Sequence, residues 1–161
     1  MTAQTPPSVR RAIWLLRAVM VWLGLTALFT YLFLDELIET WAEGNETARA
    51  ILRDRGLQAL KDSSINIPKF VPVAVVMFVV FAAITGVLVV FFRSGHGWAR
   101  NAITAMVLFM GFATLAGLDR DLPPLFVGLS VIALLLSLAL LVLLWHKDTS
   151  AYLRAPYVPT S

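Results

Sequence analysis

The sequence contains no cysteine and only two histidines. Without cysteine the chain has no disulfide, no thiolate metal site and no redox relay built on paired thiols. The histidines, His96 and His146, both lie beside the ends of apolar runs and not inside them. Paired axial haem ligands would have to lie on facing helices within the membrane. We therefore expect no cofactor and no metal site, and both histidines are interpreted as solvated.

Charged residues are also scarce, at 14% of the chain, whereas 59% of the residues are apolar. A soluble domain is about one quarter charged and about half apolar. A chain of this length cannot bury so much apolar surface in a water-soluble core, so the excess is expected to face lipid. The charges cluster between long apolar runs. The net charge of +3 is therefore interpreted as a consequence of membrane topology and not as a sign of nucleic-acid binding.

Four apolar runs are long enough to cross a bilayer, for which a helix needs about 20 residues. The runs cover residues 12–34, 70–92, 102–118 and 125–145. The third is the shortest, and only a short loop over 119–124 separates it from the fourth. The first run is too long for the core of a signal peptide, and no small-residue cleavage site follows it. The sequence therefore predicts an all-α polytopic membrane protein with a bundle of four transmembrane helices.

The lysines and arginines beside the runs predict the orientation of the chain. One side carries a single acid, Asp148, and many cations, namely Arg10, Arg11, Arg17, Arg93, Arg100, Lys147 and Arg154. On the other side the cations next to the runs are mainly Lys69 and Arg120, diluted among acids. Because cations accumulate on the cytoplasmic side, both termini are expected there. Residues 1–11 and 146–161 are then cytoplasmic tails. Residues 1–9 of the first are expected to be disordered, and the second is expected to be mobile.

The largest segment between runs is an extracytoplasmic loop over residues 35–69. Its first residues are expected to continue the first helix, which Gly44 can end. Asn45 can cap a second helix over about 46–61. Apolar residues share one face of that helix at helical spacing, namely Ala48, Ile51, Leu52 and Ala59. Such an amphipathic helix either lies on the outer membrane surface or caps the bundle.

Ionisable residues inside a bilayer are costly and often mark ion paths or substrate sites. The middle of each predicted span contains none. Arg17 lies near the inner end of the first span, where it can extend to the headgroups; the alternative is a buried functional cation. No acidic partner lies within the spans, which disfavours a proton-coupled transporter acting alone. The sequence has no nucleophile–base pair and no phosphate-binding loop, so we predict no catalytic residue.

The cytoplasmic turn over 93–101, with the sequence RSGHGWARN, is the most distinctive segment. Its glycines permit unusual backbone angles, and its tryptophan and arginines suit an interface with anionic headgroups. The segment is either a structural turn or a docking site for a partner or a specific lipid. The candidate contact residues are Arg93, His96, Trp98, Arg100 and Lys147.

Three patches together resemble small four-span integral membrane proteins of actinobacteria. These patches are PPSVRRAIWLLR near the N-terminus, the turn RSGHGWARN, and WHKDTSAY after the fourth run. The most recognisable part is the Gly-x-x-Trp-Ala-Arg core of the turn, from Gly95 to Arg100. The resemblance implies a bacterial plasma membrane, and it brings no catalytic residues because those proteins have no assigned biochemical activity.

The function expected from these features is that of a non-enzymatic accessory or scaffold subunit in a larger membrane complex. Its partners would be that complex and the anionic headgroups of the bilayer. The alternative is a small transporter or channel that acts as a homo-oligomer. The cavity of such a transporter would be lined by hydroxyl-bearing residues within the spans, namely Thr26, Thr30, Tyr31, Thr85, Thr104 and Thr114.

Overall fold

The computed structural model describes residues 6–154, and within that range the chain forms seven α-helices and no strand. They are α1 (Pro7–Leu32), α2 (Leu34–Glu43), α3 (Glu46–Lys61), α4 (Phe70–Arg93), α5 (Gly97–Leu118), α6 (Pro124–Leu144) and α7 (Lys147–Arg154). Four of them, α1, α4, α5 and α6, are long and apolar enough to cross a membrane. The predicted fold class, an all-α polytopic bundle, is confirmed.

The four long helices pack in a ring, in which α1 and α5 each contact both α4 and α6. The largest buried cluster lies between them and consists of Val9, Ala12, Ile13, Leu16, Val19, Leu88, Phe92, Ala99, Ile103, Val107, Leu140 and Leu144. These residues belong to the first halves of α1 and α5 and to the last turns of α4 and α6. We call this the terminal end of the bundle, and the opposite end, which carries α2 and α3, the hairpin end.

The outward faces of the long helices are apolar and uncovered. Phe112 is 74% exposed, Trp14 64% and Val21 63%. Contact between water and such surface is unfavourable by roughly 25 cal/mol per Å², whereas lipid tails are as apolar as these side chains. The distribution is that of a bundle embedded in a membrane.

The first helix continues beyond its predicted span, with one break. It begins at Pro7, where the ring of proline fits the first helical turn. At Phe33 the backbone departs from helical angles, although its N–H still donates to the carbonyl oxygen of Phe29 at 2.9 Å. The chain then resumes as α2, which ends at Gly44, as the sequence predicts.

Helices α2 and α3 form a hairpin that has a small core of its own. The side chain of Asn45 accepts a hydrogen bond from the N–H of Ala48 at 3.1 Å, which confirms the predicted cap. The core consists of Ile38, Ala42, Ala48 and Leu60, and Phe70 at the start of α4 packs against it. The hairpin therefore packs against the start of α4 at this end of the bundle, and the choice between the two predicted positions of α3 stays a prediction.

Helix α3 covers the predicted range but is not continuous. Gly56 has a φ of 83° and a ψ of 174°. Essentially only glycine adopts this backbone conformation at low energy. The kink divides α3 into two segments. The sequence does not reveal it, because an isolated glycine is also compatible with an ordinary helix.

The predicted mobile C-terminal tail contains a helix instead. Within α7, Thr149 is fully buried, and its hydroxyl donates to the carbonyl oxygen of Leu143 at 2.9 Å. The expectation of a mobile segment therefore does not hold for Lys147–Arg154. The expected disorder of the N-terminal tail does not hold for residues 7–9 either, because they begin α1 and Val9 is fully buried. Residues 1–5 and 155–161 lie outside the described residues.

Candidate functional site

The turn between α4 and α5 is a structural motif that depends on one glycine. Gly95 has a φ of 81°, in the left-handed region that glycine tolerates. The N–H of His96 donates to Phe91 O at 3.0 Å, and the N–H of Gly95 donates to Phe92 O at 3.2 Å. These two bonds are the pair that defines a Schellman motif at the end of a helix. The chain therefore forms this turn by itself, and its role as a docking site for a partner or a specific lipid stays a prediction.

Two of the predicted contact residues, His96 and Trp98, pack on the same aromatic ring. The Phe91 ring lies 5.5 Å from the ring of His96, edge to face, and 4.9 Å from the ring of Trp98. The His96 Nδ1 atom also lies 3.3 Å from Phe91 O. Trp98 is still about half exposed. The aromatic group is thus fixed in orientation while one side of it remains open to the surroundings.

Helix α7 closes over the turn. The hydroxyl of Tyr152 donates to the carbonyl oxygen of Arg93 at 2.7 Å, between residues 59 positions apart in the sequence. A carbonyl at the end of a helix has no partner within that helix, so this bond satisfies one of the last free acceptors of α4. The Arg93 side chain itself remains exposed.

Arg100 is held within the fold and is not free for a partner. Its guanidinium lies 4.2 Å from the centre of the Trp145 ring, a cation–π contact. Its Nη1 atom donates to the hydroxyl of Ser150 at 3.0 Å. The indole N–H of Trp145 in turn donates to Thr104 Oγ1 at 3.1 Å. This chain of contacts joins α5, α6 and α7.

Of the five residues predicted to contact a lipid or a partner, four lie in or beside this turn, and Lys147 begins α7. Arg100 has a role inside the fold, whereas the other four are exposed; they are Arg93, His96, Trp98 and Lys147. The terminal end therefore presents separate cationic and aromatic side chains around a rigid turn.

The structure also brings together arginines that sequence reasoning treated separately. Arg10 and Arg17 of α1 meet Arg93 of α4 around a groove of about 220 Å³, which Ile13 and Trp14 complete. Positions 10, 14 and 17 have the spacing of one helix face. This spacing is the feature of the sequence that could have predicted that Arg10 and Arg17 lie on the same side of α1. The approach of Arg93 depends on the packing of α1 against α4, which no local pattern reveals.

The hydroxyl-bearing residues proposed to line a transport cavity do not come together as a set. Of these six residues, Thr26 and Thr114 line a cavity of about 100 Å³ between α1, α5 and α6. Their hydroxyls donate to carbonyl oxygens of their own helices, at 3.0 and 2.9 Å. Tyr31 is 64% exposed, and Thr104 is the acceptor of the Trp145 indole.

Within residues 6–154, no group of three or more histidine, aspartate or glutamate side chains is arranged to hold a metal ion. The acids of the hairpin end are engaged in part by cations. Glu43 lies 3.1 Å from Arg53, and Asp35 lies 2.6 Å from Lys61. Each pair joins an acid of α2 to a cation of α3. Because the pairs are exposed, each contributes little to stability.

Comparisons with family models, with curated proteins and with solved structures found no match to this chain.

Proposed function

We propose that the chain is a non-enzymatic accessory or scaffold subunit of a bacterial plasma-membrane complex, with the hairpin end outside the cell. The observation that carries this proposal is the hairpin, a folded element at one end of a bundle whose other faces suit lipid. Its core residues Ala48 and Leu60 are fully buried. A surface that is already ordered binds a partner without a further entropic cost of ordering.

The outward side of the hairpin carries the charges expected at a protein interface exposed to water. Asp54 and Arg55 are adjacent, exposed and without an ion-pair partner among residues 6–154. Arg53 donates a hydrogen bond to Glu43 and so joins α3 to α2 within the hairpin. A complementary pair of charges on a partner subunit would give specificity and a faster association rate.

The cation distribution supports the orientation in this proposal. Seven lysines and arginines lie at the terminal end or beside it, against the single acid Asp148. Cations beside the spans accumulate on the cytoplasmic side. The resemblance of the turn and of the flanking patches to actinobacterial membrane proteins supports a bacterial plasma membrane.

The test is purification of the full chain from its own membrane in nanodiscs, followed by quantitative mass spectrometry of the proteins retained. The variant to compare is Asp54→Lys with Arg55→Glu, which reverses both charges and leaves the net charge unchanged. We expect a stoichiometric partner with the wild-type chain and a loss of at least tenfold with this variant.

The matched control is Asp119→Lys with Arg120→Glu. This is another exposed aspartate–arginine pair at the same end of the bundle, in the loop between α5 and α6. It should retain the partner at the wild-type level. The proposal fails if no stoichiometric partner accompanies the wild-type chain, or if the partner is retained equally by both double variants.

The alternative, a small transporter or channel acting as a homo-oligomer, draws on one specific observation. The cavity between α1, α5 and α6 contains the hydroxyls of Thr26, Thr114, Ser130 and Ser137. Its volume of about 100 Å³ exceeds the ~15 Å³ needed to admit one water molecule. Solute flux into proteoliposomes above that of empty vesicles, abolished by Ser137→Leu, would favour this alternative over the scaffold.

A further inference from the structure

Three arginines converge at the terminal end without an acid to neutralise them. Arg10, Arg17 and Arg93 line one groove. The ion pairs formed among residues 6–154 all involve other cations. Guanidinium groups remain charged at every physiological pH, so three of them around one groove repel each other. An anion placed between them would relieve this repulsion.

The groove is held in shape by the packing of α1. Arg10, Trp14 and Arg17 follow one another along a single face of that helix. The Arg17 guanidinium lies 5.2 Å from the centre of the Trp14 ring, a distance at which the ring attracts and orients the cation. Arg93 comes from the last turn of α4, which packs against α1. The cations therefore come from two helices of the fixed core and not from a loop.

An apolar crevice continues from the groove toward the middle of the bundle. It runs between α1 and α6, has a volume of about 510 Å³, and is lined by Trp14, Arg17, Ala18, Val21, Trp22, Ile132 and Leu136. Trp14 and Arg17 belong to both the groove and the crevice. The cationic groove and the apolar crevice are therefore adjacent. Tryptophan and arginine are the residues that favour the headgroup region of a membrane.

We infer that this surface binds one anionic phospholipid. Its phosphate lies among Arg10, Arg17 and Arg93, and one acyl chain follows the crevice between α1 and α6. Arginine suits this role because its planar fork can donate two parallel hydrogen bonds to a phosphate. A free phosphate would satisfy the groove but leave the crevice without an occupant. The inference is independent of the proposed scaffold role, since the site lies at the opposite end from the hairpin.

The test is native mass spectrometry of the full chain in nanodiscs containing equal amounts of phosphatidylglycerol and phosphatidylcholine. The wild-type chain should retain one phosphatidylglycerol in preference to phosphatidylcholine. The groove variant replaces all three arginines by glutamine. A direct bond from each of these arginines to the phosphate is expected to contribute about fivefold to the affinity, because solvent screens part of it. The loss of all three bonds should therefore lower retention on the order of 100-fold.

A control of equal charge replaces Arg11, Lys147 and Arg154 by glutamine. All three are exposed, lie at the same end and are absent from the groove. This control should retain the lipid within about fivefold of the wild-type level. An equal loss in both triple variants would mean that retention follows net charge alone, and would overturn the site. If the groove variant does not fold, the single substitutions Arg17→Gln and Arg11→Gln provide the readout: the first should lose about fivefold through its bond to the phosphate, and the second should retain the wild-type level.

The crevice is tested separately by Ala18→Phe, which fills it and leaves every charge in place. Ala18 is exposed on α1, so the larger ring is expected to leave the helix packing intact. We expect at least a tenfold loss of phosphatidylglycerol. Inorganic phosphate added at millimolar concentration should not displace the lipid from the wild-type chain. Displacement by inorganic phosphate, or full retention by Ala18→Phe, would overturn the assignment to a phospholipid.

Discussion

The two ends of this bundle are stabilised in different ways. At the terminal end, contacts join residues far apart in the sequence: Tyr152 bonds to Arg93, 59 positions away, and Arg100 to Ser150, 50 positions away. At the hairpin end the ion pairs join residues closer in the sequence: Arg53 bonds to Glu43, 10 positions away, and Lys61 to Asp35, 26 positions away. The terminal end closes the fold through buried packing, whereas the hairpin has a small local core and exposed ion pairs.

The residues that stabilise the bundle and the residues proposed to bind a partner therefore lie at opposite ends of the molecule. The terminal end contains most of the largest buried cluster, so a change there acts on all four long helices. The hairpin is joined to α1 through the break at Phe33 and to α4 through contacts with Phe70, and its Leu37 is buried against α6. A supersecondary motif of this kind, here the helical hairpin, often unfolds locally as one unit while the rest of the protein stays folded. The hairpin surface can therefore vary to suit a partner while the bundle stays intact.

The largest effect is expected from Phe92→Ala at the terminal end. Phe92 is 1% exposed and is among the largest fully buried side chains of the described residues. Removal of a buried phenylalanine costs about 3–5 kcal/mol, because packing is lost and a cavity remains. The free energy of unfolding of the bundle in lipid micelles measures this loss.

The matched variant is Phe112→Ala, in the hairpin half of α5. Phe112 is 74% exposed and faces outward, so its removal leaves no cavity and should change the unfolding free energy by less than about 0.5 kcal/mol. Similar losses for the two variants would mean that the terminal end is not the better packed half.

A smaller effect is expected from Arg100→Ala, which tests how α7 is held. The variant loses the cation–π contact with Trp145 and the bond to Ser150. A hydrogen bond from a charged group contributes about 1.5–3 kcal/mol and an exposed cation–π contact about 0.5–1 kcal/mol. Because Arg100 is half-buried, solvent screens part of this contribution, and we expect about 2 kcal/mol. Hydrogen exchange of the α7 amides should then accelerate by roughly 30-fold.

The control for this measurement is Arg11→Ala, an exposed arginine at the same end that makes no ion pair and no cation–π contact among residues 6–154. It should leave exchange in α7 unchanged. Unaltered exchange in Arg100→Ala would show that α7 is held by its buried Thr149 and not by the arginine.

The sequence predicted those features that depend on composition and on neighbouring residues. The four spans follow from long apolar runs, and the end at Gly44 and the cap at Asn45 follow from the local chemistry of helix ends. It did not predict the docked α7, because that helix depends on contacts of Thr149 and Tyr152 with distant helices. The arginine groove was missed for the same reason. The orientation and the partner remain predictions.

The smallest effect is expected from Glu43→Gln at the hairpin end. Glu43 lies 3.1 Å from Arg53 and 3.7 Å from Arg49, but its side chain is 51% exposed. Exposed ion pairs contribute about 0–1 kcal/mol, since water and salt screen them. Hydrogen exchange over α3 should therefore accelerate by less than about fivefold, and raising the salt concentration should make the variant and the wild-type chain converge. The buried Leu60 and Ala48 are what keeps α3 on α2. If Glu43→Gln opened α3 as far as Arg100→Ala opens α7, charge would hold the hairpin, and the contrast between the two ends would disappear.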